Sequence, residues 1–143
     1  MKMEEFLSRL DESRVVEAIR AAERRTTGEI RVFVSTREAG DALAHAGRRF
    51  EKLGMTHTRE RNAVLLYFAP RSRKFALVGD RGIHEKCGAS FWAEAVAEVQ
   101  APLQSEHFTE AVVLGVRKVG ELLARHFPGP GESNELPDAV ERD

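Results

Sequence analysis

The chain is poor in the residues that mark several protein classes. Among its 143 residues it holds a single cysteine, Cys87. No intramolecular disulfide can form, so no disulfide framework organises the fold. No window approaches the ~18–20 apolar residues of a membrane span. Neither sign of charge dominates: 22 basic and 23 acidic residues leave a net charge of -1. That removes a general pull toward nucleic acid or anionic lipid and leaves only local patches. The opening stretch MKMEEFLSRLDES carries acids where a secretory signal needs an unbroken apolar run. These absences predict a soluble, cytoplasmic monomer that binds no nucleic acid and inserts in no membrane. Its partner would be another protein.

Catalytic signatures are missing too. There is no G-x-x-x-x-G-K-[ST] loop, no G-x-G-x-x-G after a strand and no G-x-S-x-G elbow. His84-Glu85 opens like a zinc-protease motif, but Gly88 stands where the second histidine belongs. Cys87 is followed by no arginine at the spacing a cysteine phosphatase needs, and no D-x-D pair offers an aspartyl nucleophile. The histidines, at 45, 57, 84, 107 and 126, follow no ligand spacing. Cys87 reads as a small packing residue.

What is present is an alternation of helix and strand. A lead-in helix is expected at MEEFLSRL. Asp11 caps a helix through ESRVVEAIRAAERR, stopped by Gly28. EIRVFVST is the first strand, with Ile30, Val32 and Val34 on one face. Asp41 caps the next helix, whose apolar side is Leu43, Ala46, Phe50 and Leu53. NAVLLYFA and KFALVG are apolar with little alternation, which suits strands covered on both faces. PRSR joins them as an antiparallel hairpin. Helical stretches follow at IHEKCG, at SFWAEAVAEVQAPLQ and from Thr109, where Val112, Val116, Val119 and Leu123 share a face. FPGPG ends the last helix. The expectation is a single domain over residues 1–127 with a loosely held tail over 128–143.

Strand order gives the functional expectation. Strand, helix, strand makes the first two strands parallel, and the hairpin makes the third antiparallel. Glu29 at the start of the first strand, Asn62 at the start of the second and Asp80 at the end of the third then meet at one edge of the sheet. If Ala69 pairs with Arg73, Asn62 lies opposite Asp80. Two carboxylates and an amide oxygen form a hard-oxygen set suited to Mg²⁺ or Ca²⁺. Arg59, Arg61 and Arg81 stand near the same edge and could fork onto a phosphate or pair with the acids. Asp80 followed by Arg81 and Gly82 is equally a turn composition.

Four stretches, TTGEIRVFV, RNAVLLYFA, RKFALVGDRGIHEKCGASFW and FPGPGESNELPD, resemble the TPM domain family. It is named for a thylakoid lumen protein, a photosystem repair factor and a nematode receptor modulator. The resemblance covers residues 10–138, and the NELPD tail is similar to that of stand-alone soluble members. It implies an α/β/α sandwich with a mixed sheet. Some members are described as acid phosphatases, some bind divalent cations, and others assist membrane-complex assembly or repair. By motif it assigns Glu29 and Asp80, with Asn62 third, to a metal. Ala63 departs from the glycine that many secreted members have after this asparagine. Two functions are expected: a cation-binding, protein-interaction module without catalysis, or a metal-assisted acid phosphatase in which Arg61 and Arg81 clamp phosphate.

Overall fold

The computed structural model describes residues 10–38, 40–88, 90–105, 107–129 and 140–143. The lead-in helix expected at MEEFLSRL falls almost wholly outside them. Helix α1 spans Glu12–Glu23, with the Asp11 side chain accepting from the Arg14 N–H as its cap. Strand β1 (Glu29–Val34) follows, then α2 (Ala42–Lys52), capped by Asp41 onto the Ala44 N–H. Strand β2 (Ala63–Ala69) and strand β3 (Lys74–Gly79) flank a 3-10 turn at Pro70–Ser72. Helices α3 (Arg81–Cys87), α4 (Ser90–Gln104) and α5 (Phe108–His126) complete the main body, and strand β4 is Val140–Arg142.

The sheet is mixed, in the order β3-β2-β1-β4. β1 runs parallel to β2 and to β4, and β2 runs antiparallel to β3. The strand directions inferred from the βαβ unit and the hairpin are therefore those observed. The register differs by one residue. Ala69 pairs with Lys74, because the hairpin loop holds four residues and closes through Arg73 in the left-handed region (φ 50°). No glycine or asparagine in PRSR announces that conformation.

Apolar residues on one face, Val32, Val34, Leu66, Phe68 and Phe75 among them, pack beneath α1, α4 and α5. The other face carries Phe33, Leu65, Tyr67 and Ala76 against Ala46 and Phe50 of α2 and Met55 beyond its end. The result is the α/β/α sandwich expected. All seven residues of β2 are buried, as its unbroken apolar run required. Leu43, expected on the inner side of α2, is instead 61% exposed in the first turn, and burial on this helix begins at Ala46.

Of the tail expected to be loosely held, the last four residues are instead seated on the body. Val140–Arg142 add a strand beside Val32–Val34. A three-residue strand with one apolar position carries too little pattern to be read beforehand. Among the described residues no helix is long and apolar enough to cross a membrane.

Candidate functional site

The rim where β1 and β2 begin and β3 ends holds the three residues expected there. Glu29 opens β1, Asn62 precedes β2 and Asp80 follows β3. All three are buried, at 4%, 1% and 5% exposure. The one-residue shift in register decides which of them share a face. Glu29 is paired with Ala63, and the Asp80 N–H donates to the Ala63 carbonyl at 3.0 Å. Glu29, Ala63 and Asp80 thus form one row across three strands, with a small residue between two acids. Two interstrand spacings separate the Cα atoms of the acids, about 9.5 Å. Asn62, expected opposite Asp80, lies one residue outside this row; a step of one turns a side chain toward the other face. Its amide nitrogen donates to Thr27 Oγ1 at 3.2 Å, tying β2 to the turn that enters β1.

Asp80 does three local tasks. It is the cap of α3 through the Arg81 N–H, which donates to Oδ1 at 2.8 Å. Its two oxygens also accept a forked pair from Arg61, Nε to Oδ2 at 2.6 Å and Nη2 to Oδ1 at 2.8 Å. And its extended backbone (φ -70°, ψ 170°) turns β3 into α3. Donation to Asp80 raises the Arg61 pKa above its usual value, with smaller help from the fields of Asp80 and Glu51. Arg61 itself has a left-handed backbone, φ 53°. That conformation lets its carbonyl accept from the Gly82 N–H at 2.9 Å. A Cβ at Gly82 would stand 2.5 Å from the Glu60 carbonyl oxygen and 2.6 Å from that of Arg61, so only glycine permits the approach.

The structure therefore brings Arg61 and Asp80 together, while the Arg59 and Arg81 side chains are exposed. Among the described residues no three His, Cys, Asp or Glu side chains cluster as metal ligands. Cys87 is half-buried against the larger core, and burial pushes its thiol up. His84 is exposed.

Sequence reasoning missed a second polar group. Arg31 does not pair with Glu29, its neighbour in sequence. Its Nη2 donates to Glu141 of β4 at 2.6 Å, and Arg31 is 7% exposed. Ser35 and Thr36 hold Asp143. The available signal was one cation in the middle of an apolar strand, EIRVFV, which demands a buried partner.

No curated protein matches the sequence. Among solved structures, the chain is similar to the BA42 protein from the psychrophilic bacterium Bizionia argentinensis, solved by NMR. The identity is 33%, 92% of each chain is covered and the TM-score is 0.84. The N-terminal domain of a protein from P. gingivalis, also solved by NMR, shares the fold: TM-score 0.58, 15% identity, over 79% of this chain and 75% of that one. A family profile described as the TPM domain matches residues 1–122. With that match over most of its length, on the mixed-sheet sandwich just described, the chain belongs to the TPM domain family.

Proposed function

We propose that the chain is a non-catalytic binding module, which takes a divalent cation, Ca²⁺ or Mg²⁺, at the Glu29–Ala63–Asp80 row and presents that rim to a protein partner. The observation that carries this reading is the row itself: two buried acids on one face, flanking an alanine that leaves room between them. The donor chemistry fits a hard cation. Glu29 and Asp80 supply carboxylate oxygens. Asn62, expected as a third ligand, is one step out of the row and tied to Thr27, so its part is to hold the start of β2 in place.

The positive charge now beside Asp80 is the Arg61 guanidinium. Its side chain is 32% exposed, so it can swing into solvent without unpacking the core. Guanidinium and metal then compete for the same oxygens, and the loop at 58–62 would move with the exchange. A partner that recognises the rim would sense which cation is in place.

Phosphomonoester hydrolysis is less well supported by the geometry. It asks Arg61 and Arg81 to clamp one phosphate together, and only Arg61 is held at the Asp80 carboxylate, while the Arg81 side chain is exposed.

The test is amide NMR of the protein titrated with calcium or magnesium chloride to millimolar levels. We expect shifts at residues 28–31, 61–63 and 79–84, and binding several-fold tighter in Arg61→Gln, which removes the competitor. If these amides stay unmoved in both proteins, the cation reading is wrong.

A further inference from the structure

The outer edge of β1 is closed in an unusual way, and this feature is independent of what occupies the rim. Only Val32–Val34 pair with β4. Upstream, the Ile30 N–H donates to the Glu23 carboxylate at 2.9 Å, so a side chain stands where a strand would continue. β4 itself is three residues long, and none of them is fully buried.

Side chains specify what this edge accepts. Val140 packs against the larger core. Glu141 accepts from Arg31 Nη2. Asp143 Oδ1 accepts from the Thr36 N–H and hydroxyl, both at 2.7 Å, and its Oδ2 accepts from Ser35 Oγ at 2.8 Å. Arg142 points away and pairs with Glu12. The edge reads an extended segment as apolar, acid, any residue, acid. Its reading groups are built in: Arg31 is 7% exposed and Ser35 1%. Arg31 Nε is buried with no hydrogen-bond partner among the described residues. Glu141 thus uses one arm of a fork made for two.

We propose that the β1 edge is a receptor site for an extended acidic segment of another protein, and that residues 140–143 are its occupant in cis. Main-chain pairing with β1 supplies affinity, and Arg31 with the Ser35–Thr36 pair supplies specificity. The tail holds the site by high local concentration rather than by complete bonding. An incoming carboxylate that engages both Nε and Nη2 of Arg31 gains a hydrogen bond that Glu141 lacks. A longer segment also continues along Ile30, where it displaces Glu23. The tail then acts as a plug that only a better-matched strand removes.

The probe is a fluorescent synthetic peptide with the sequence of residues 135–143, supplied in trans and followed by polarisation. The receivers are the full chain and the full chain carrying Glu141→Ala with Asp143→Ala, which loosens the plug. We expect the double variant to bind at least about tenfold more tightly than wild type, the worth of one or two charge-assisted bonds removed from the competitor. Arg31→Gln on that background should abolish binding. Should Arg31→Gln fail to fold, Thr36→Ala, at a half-buried position, should weaken binding several-fold instead. A peptide with glutamine and asparagine in place of its acids should not bind. Equal affinity of wild type and double variant, no binding to the double variant at millimolar peptide, or indifference to the acids would each overturn the proposal. So would a dimer of the wild type by light scattering that the peptide cannot disperse, which would give the edge to a second copy of this chain.

Discussion

On one face of the sheet α1, α4 and α5 lie over Val32, Leu66 and Phe75; on the other, among the described residues, α2 is the helix over Leu65, Tyr67 and Ala76. Four strands at about 4.8 Å spacing are wider than the ~10 Å of one helix, so α2 cannot seal its face. It sits over β2 and β3. Over β1 the cover is a side chain, the Arg49 guanidinium 4.5 Å from the centre of the Phe33 ring. Glu29, Arg31, Ser35 and Asp80 all fall on this thinly covered face by the alternation of their strands. Buried polar groups need partners, and here the side-chain partners include Arg61, Glu141 and Asp143. Both proposed sites lie where the helical layer runs out.

The largest effect expected separates two neighbours in β2. Leu65 and Leu66 are both fully buried in β2 and point to opposite faces. Truncation to alanine should cost each about 2–5 kcal/mol. Leu66→Ala should lie near the top of that range, because three packed helices cannot collapse into the hole. A Cβ at Gly115 of α5 would already meet the Leu66 side chain at 2.8 Å. Leu65→Ala should lie near the bottom, since α2 can settle alone. Urea unfolding measures both; equal losses would mean the two faces are equally rigid.

The rim should respond less, and locally. Gly82→Ala forces a methyl against two backbone carbonyls of the 60–61 loop, which costs about 1–3 kcal/mol. Its amide shifts should concentrate at residues 60–63 and 79–84 and spare α1 and α5. Shifts spread evenly through α5 would show that the rim is not a separate unit.

Much of this was legible beforehand, for identifiable reasons. Asp11 and Asp41 each stand before an apolar-periodic run, and both cap as expected. Strand directions followed from connection type alone. What failed depended on a backbone conformation the side chains do not announce: Arg73 at φ 50° lengthened the hairpin. Of the two roles expected for Arg61, pairing with an acid is the one observed. The meeting of Glu29 and Asp80 at one rim survived the error because it rests on direction. The pairing of Asn62 with Asp80 did not, because it rests on register. The site at the β1 edge was invisible, since its two halves lie 110 residues apart in the Arg31–Glu141 bond.

The smallest effect expected is at that edge, in acid. Burial pushes the Asp143 carboxyl up, but the hydrogen bonds from Thr36 and Ser35 and the field of Arg49 outweigh it and hold the group below its usual 3.8. A carboxylate depressed in the folded state contributes stability that is present above the unfolded value. That contribution is lost as pH falls through the folded value. β4 should therefore loosen below the ordinary carboxylate range, while the helices over Leu66 hold. The Thr36 amide resonance, which reports its bond to Asp143 directly, should titrate at a pH under 3.8. Asp143→Asn should remove that step and leave the amides of α5 unchanged. A Thr36 transition at or above 3.8 would mean that burial wins over the hydrogen bonds. The plug would then be held by Arg31 and Glu141 alone, and the edge would prefer a single acid in the segment it accepts.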